Sequence, residues 1–202
     1  MAGIKVTIVY YSATGITHKM AEAVMEGALA EGAEVRLRKV QELAPESVIA
    51  QNAAWKAHRE ATADVQTASH DDLAWANAII LGTPARFGGM ASQLKQFIDT
   101  TGGLWAQGKL TNKVVSSFAT ADNPHGGQES TILALNNIFY HWGAIIAPPG
   151  YTDQVVFAAG GNPYGASAAR VGGGPTEEEL EGAQYLGKRV ATVARWLAAG
   201  RS

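Results

Sequence analysis

VYYSATGITHKMAEAV, residues 9–24, joins a run of strand-forming residues to a helix through a turn of small hydroxyl side chains and one glycine. Ile4, Val6, Ile8, Val9, Tyr10 and Tyr11 are β-branched or aromatic and apolar on both faces, as an inner strand of a covered sheet would be. From Ile16 onward, apolar side chains return at Met20, Val24 and Ala28, the i, i+4 spacing of one helical face. The helix therefore opens inside SATGIT. That places Ser12, Thr14 and Thr17 around a first turn whose backbone N–H groups lack intrahelical acceptors and whose macrodipole is positive. Such a turn attracts anions, and free amides with hydroxyls hold a phosphate monoester without lysine or arginine. Gly15 lets the main chain approach closely. An isolated S-x-T-G is most simply a helix cap; the strand context and the clustered hydroxyls favour an anion site.

Composition bounds the function classes. With 202 residues, 47% hydrophobic and 17% charged, the chain suits a single domain with an ample core, residues 1–202. A formal net charge of −2 gives no electrostatic case for nucleic acid or an anionic membrane surface. There is no cysteine, so disulfides, thiolate catalysis and cysteine-ligated metals are excluded. No apolar run approaches the ~20 residues of a membrane span, and a cytoplasmic protein is the expectation.

Strands and helices alternate along the chain. Ala33–Val40 reads as a second strand, Ala78–Leu81 as a third that breaks at Gly82 and Pro84, and NKVVSSFAT, from residue 112, as a fourth. Ala144–Ala147 reads as a short fifth strand. Helices follow over SQLKQFIDTTGG, from Ser92, with Leu94, Phe97 and Ile98 at helical spacing, and over Gln128–Trp142. Thr176 and Glu179 after Pro175 form a capping box for a last helix with a stripe of Leu180, Ala183, Gly187, Val190, Ala194 and Leu197. Five βα units predict an α/β fold, a doubly wound five-stranded parallel sheet with helices on both faces. Two stretches stand outside the alternation, an alanine-rich one at 42–72 and a glycine-rich one at 148–175, and both read as insertions that pack against another subunit.

In such a sheet the ligand lies beyond the carboxyl ends of the strands. Three loops leave those ends: Ser12–Thr17, Pro84–Gly89 and Ala119–Gly127. The second offers an aromatic, a guanidinium and glycines; the third is rich in turn residues and amides. Together they suit a planar ligand that carries a phosphate, and flavin mononucleotide (FMN) fits that description.

YYSATGITHKMAEAV, GTPARFGGMASQLKQFIDTTGGLW, HGGQE, HWGAIIAPPGY and NPYGAS together resemble the WrbA family of NAD(P)H:quinone oxidoreductases, a flavodoxin-like group, nearly end to end. The resemblance implies FMN, two-electron reduction of quinones with NADH or NADPH as donor, and a homotetramer. It assigns the flavin phosphate to Ser12, Ala13, Thr14, Gly15, Ile16 and Thr17. The flavin ring falls to Ala85, Arg86 and Phe87, with further cofactor contacts at Thr120, Ala121, Asp122, Asn123, Gly126 and His141. Trp105 matches the tryptophan that lines the substrate side, reached from a neighbouring subunit. Two departures stand out. Thr14 occupies a position where the family commonly has tyrosine, and the loop with Asp122, Asn123 and Pro124 is one residue longer and less glycine-rich.

Rival motifs fail on their own chemistry. The run from Gly103 to Lys109 is nearly a Walker A loop, but Leu110 stands where Ser or Thr must hold Mg²⁺, and a helix rather than a strand precedes it. The five histidines show no ligand spacing, so no metal is expected. No catalytic nucleophile or acid–base residue is required, because a flavin carries the chemistry itself. The competing class is a flavodoxin-like carrier that passes single electrons to protein partners without turning over a substrate.

Overall fold

The computed structural model describes residues 3–200. The strands are β1 (Lys5–Tyr10), β2 (Glu34–Lys39), β3 (Ala78–Arg86), β4 (Gly89–Met90), β5 (Val114–Ala121), β6 (Ile145–Ile146) and β7 (Ala166–Ala169). The helices are α1 (Ile16–Ala30), α2 (Glu46–Ile49), α3 (Ala53–Ala61), α4 (His70–Trp75), α5 (Ser92–Asp99), α6 (Gly102–Ala106), α7 (Gln128–Trp142), α8 (Gln154–Ala158) and α9 (Glu177–Ala199). The sheet runs in the order β2-β1-β3-β5-β6 with parallel pairing, while β4 folds back antiparallel on β3.

The expected doubly wound parallel sheet is present, with one correction at its fifth position. Beside β5 the place is filled in two pieces: β6 pairs with Val114 and Val115, and β7 pairs with Phe118–Ala121. The glycine-rich stretch at 148–175 thus supplies a strand to the sheet and is not wholly peripheral. Ala-Ser-Ala-Ala, the β7 sequence, has little intrinsic strand preference and is held by pairing with a buried neighbour. The stretch at 42–72 also acquires regular structure. Its last helix, α4, bridges β2 and β3 and closes with a capping box between Ser69 and Asp72. Asp72 then draws β2 onto that helix through Arg36 at 3.1 Å and Arg38 at 3.0 Å.

Side-chain alternation on β1 divides the core. Val6, Ile8 and Tyr10 face α1 and α9, whereas Val9 and Tyr11 face the layer that holds Leu73, Leu94, Leu135 and Phe139. The α1–α9 contact depends on missing side chains. A Cβ on Gly27 would lie 1.8 Å from the Gln184 carbonyl oxygen, and one on Gly187 would lie 1.9 Å from that of Val24. The two backbones touch there, and neither can yield without parting the helices. Gly27→Ala and Gly187→Ala should each cost about 3 kcal/mol or more in denaturant unfolding, at the upper end of overpacking effects. Gly200→Ala, where a Cβ meets its nearest atom at 3.6 Å, should change stability by no more than about 0.5 kcal/mol. Equal effects at all three positions would contradict the close-contact account.

Candidate functional site

β1 delivers its chain to a turn built around Gly15. Gly15 sits at the start of α1 with φ 101°, a conformation that side chains oppose, and its N–H donates to Ser12 Oγ at 3.1 Å. Lys19 N–H then makes the first helical bond, to the Gly15 carbonyl at 3.0 Å. Between them, the N–H groups of Ile16, Thr17 and His18 find no acceptor among the described residues. The helices of this chain begin in different ways, and α7 also opens on an uncapped glycine, Gly127, but with Glu129 in its first turn. Asn52 caps α3, Ser69 with Asp72 caps α4, and Thr176 with Glu179 caps α9, whereas α1 has neither a side-chain cap nor an acid in its first turn. Thr17 is buried, with its hydroxyl 2.8 Å from that of Thr120 at the end of β5. Unmatched amides, flanking hydroxyls and no local acid form a cradle that fits a phosphate group.

Two further loops wall the same place. β3 ends at Pro84–Arg86 and turns into β4 through Phe87 and Gly88, both with positive φ (53° and 77°) as a tight hairpin requires. Phe87 is fully exposed, an unusual position for a bulky side chain held in a strained backbone conformation. The loop after β5 is locked against this hairpin. A Cβ on Gly127 would lie 2.8 Å from the Gly88 Cα, and Ser130 Oγ donates to the Gly88 carbonyl at 2.9 Å. The result is an open cleft of about 260 Å³ over the carboxyl ends of β1, β3 and β5. Ser12, Ala13, Thr14, Ile16 and Thr17 line it with Ala85, Arg86, Thr120, Ala121 and Asp122.

Other expected residues lie elsewhere. Asn123 turns into its own loop, where its side chain accepts from His125 N–H at 3.0 Å and its carbonyl accepts from Gln128 at 2.9 Å. Gly126 packs beneath the loop, where a Cβ would lie 2.3 Å from that of Ala121. Trp105 and His141 meet each other: Trp105 Nε1 donates to the His141 carbonyl at 2.9 Å, and Trp105 is 57% exposed. His141 stands at the end of α7 opposite the cleft, about 20 Å away by the rise of a helix of that length. One chain therefore does not bring Trp105 and His141 to its own phosphate cradle.

Three residues at the cleft escape the sequence reading. Asn52 and Arg170 line it, and His58 packs on Gly15, with its Nδ1 3.4 Å from where a Cβ would be. A signal for α3 was available: Trp55, His58, Arg59 and Thr62, spaced i, i+3, i+4 and i+7, share the wall of a neighbouring cleft of about 280 Å³. Glu42 fastens this segment, accepting hydrogen bonds from Tyr11 Oη, Trp55 Nε1 and Gln93 Nε2, each at 3.0 Å, and from the Leu43 and Ala44 amides. Burial opposes the Glu42 charge, but these bonds outweigh it and hold the carboxyl below its usual range.

Burial pushes His58 down from 6.5 to about 4, with the charges of His18 and Lys39 acting in the same direction. The folded chain thus keeps this imidazole neutral, while the unfolded chain takes up a proton below pH 6.5. The stability linked to His58 is complete above that value and is lost as pH falls toward 4. His58→Gln should therefore shrink the difference between urea midpoints measured at pH 7 and pH 5. An unchanged difference would contradict a buried neutral His58.

A doubly wound parallel sheet with an uncapped, hydroxyl-rich first turn at the end of β1 defines the flavodoxin-like class of α/β proteins. The family model described as NADPH-dependent FMN reductase matches residues 4–154. A protein of Deinococcus radiodurans named NAD(P)H dehydrogenase (quinone) is 53% identical over 171 residues, covering 85% of this chain and 86% of that one. A protein of the same name from Geotalea daltonii is 44% identical over 206 residues, covering 98% and 100%. Among solved structures, the flavodoxin, WrbA-like protein from Agrobacterium tumefaciens superposes with a TM-score of 0.68 at 26% identity, covering 96% of this chain and 99% of that one. The chain belongs to the FMN reductase family, in its WrbA-like NAD(P)H:quinone oxidoreductase branch. Among the described residues no helix is long and apolar enough to cross a membrane, and no acidic, histidine or cysteine group is arranged to hold a metal ion.

Proposed function

We propose that the chain binds FMN in this cleft and reduces quinones by electron pairs drawn from NADH or NADPH. The observation that carries the proposal is the set of unmatched amides at the start of α1, flanked by Ser12, Thr14 and Thr17. The Ile16, Thr17 and His18 amides donate to the phosphate, with the Thr14 and Thr17 hydroxyls beside them. Ala85, Arg86 and Phe87 on one side and Thr120, Ala121, Asp122, Asn123 and Gly126 on the other form or shape the walls that orient the rest of the cofactor. When bound, the flavin supplies the chemistry that accepts a hydride from the nicotinamide and passes two electrons to the quinone. The protein's part is to position and to exclude water, so no nucleophile is needed.

Trp105 and His141 support a site shared between subunits of a homotetramer. Both are exposed and adjacent, at the far end of α7 from their own cleft. A second chain can present them to this one, where an aromatic wall adds about 0.5–1.5 kcal/mol of stacking to a planar donor or acceptor. Dihedral symmetry would place the exposed Tyr151, Phe157 and Tyr164 of the 148–175 stretch within further contacts.

Steady-state oxidation of NADH and of NADPH with benzoquinone by the FMN-loaded protein tests the reading. Sustained turnover is expected with at least one donor. Trp105→Ala should lower turnover about tenfold without changing the flavin content, since it touches substrate and not the phosphate cradle. No turnover with either donor, together with two separate one-electron steps in a potentiometric titration, would instead assign the chain to the electron carriers.

A further inference from the structure

Arg170 is the residue of the cleft that neither the loop motifs nor the helix pattern points to. It follows β7 directly, and its N–H donates to the Ala121 carbonyl at 2.8 Å, continuing the β5–β7 ladder by one step. That bond fixes its Cα beside the carboxyl end of β5, next to Thr120 and across from the first turn of α1. Its side chain is exposed and lines the same cleft as Ser12, Thr14 and Thr17. Among the described residues it forms no ion pair. Two other charged groups line the cleft. Arg86 is tied back by its own loop, donating to the Ala85 carbonyl at 3.1 Å, and Asp122 sits on the β5 rim without a salt-bridge partner among the described residues.

We infer that Arg170 closes the phosphate cradle from the fifth strand position, its guanidinium binding the cofactor phosphate opposite the α1 amides. The inference rests on the FMN reading above and adds to it a charged contact. Backbone amides and hydroxyls recognise a phosphate by hydrogen bonding alone. A guanidinium presents paired N–H groups that match two phosphate oxygens and supplies the countercharge that SATGIT lacks. Asp122 gives a second reason for the arrangement: without Arg170, its carboxylate would be the nearest formal charge on that rim and would repel the anion. The position also explains how β7 contributes to the site. The split fifth strand places the end of a four-residue strand where a guanidinium is needed, and the correct register delivers it.

The test uses the apoprotein and compares two ligands that differ only in the phosphate, FMN and riboflavin, by quenching of flavin fluorescence. Wild-type protein should bind FMN at least about tenfold tighter than riboflavin. Arg170→Gln should weaken FMN by about tenfold or more and leave riboflavin within about twofold. Arg170→Lys, which keeps the charge and loses the fork, should fall between. Circular dichroism and the urea midpoint of each variant check that the β5–β7 pairing survives. If wild type does not discriminate between the ligands, the phosphate reading itself fails. If wild type discriminates and Arg170→Gln keeps the full ratio, or weakens both ligands equally, the guanidinium does not bind the phosphate and the inference is overturned.

Discussion

Three backbone N–H groups at the start of α1 lack an acceptor among the described residues, and the site is arranged around them. The unmatched amides of a helix start are met by a cap, by solvent or by a ligand. Side chains cap α3, α4, α8 and α9, and at α9 Thr176 and Glu179 satisfy each other's backbone at 3.2 and 2.8 Å; α2, α5, α6 and α7 have no such cap. At α1 the corresponding place is given to Gly15, and Ser12 spends its hydroxyl on the Gly15 amide. The unmet demand is directed into an open cleft, where an anionic ligand can satisfy all three donors together. The parallel sheet makes this possible by bringing the ends of β1, β3 and β5 to one edge.

The surrounding electrostatics are arranged at a distance from the cradle. Glu42 is kept charged by five donors and anchors α3 beside the turn. α3 in turn lays His58 against Gly15, in a setting that keeps the imidazole neutral. A dianion at the α1 terminus would favour the protonated imidazole, so cofactor and proton binding are coupled through this one contact. Arg170, on the β7 side of the cleft, forms no ion pair among the described residues and is placed to supply formal positive charge, while Arg86 is tied to its own loop. The α1 face supplies directional hydrogen bonds and the β5–β7 side supplies charge.

What could be read from the sequence follows the range of the interactions involved. The β1–α1 turn, α7 and α9 declare themselves through neighbouring residues: alternation, helical spacing, and a cap three residues from its partner. β7 does not, because Ala166–Ala169 owe their conformation to Phe118–Ala121, nearly 50 residues earlier in the chain. Arg170 is invisible for the same reason, since its place depends on that pairing. The α3 face is present as the spacing of Trp55, His58, Arg59 and Thr62, but the alanines of the same stretch dilute that pattern. Trp105 and His141 illustrate a different limit. Their contact with each other lies within one chain, whereas the role the family resemblance assigns them belongs to an assembly.

If the α1 amides are the phosphate donors, amide NMR of the isotope-labelled protein reads those groups individually. On adding FMN to the apoprotein, the Ile16, Thr17 and His18 amide protons should move downfield, as charge-assisted hydrogen bonds to phosphate form. Riboflavin should leave those three signals nearly unmoved while shifting residues of the Ala85–Phe87 and Thr120–Gly126 loops. Large shifts of the α1 amides with riboflavin, or none with FMN, would contradict the account.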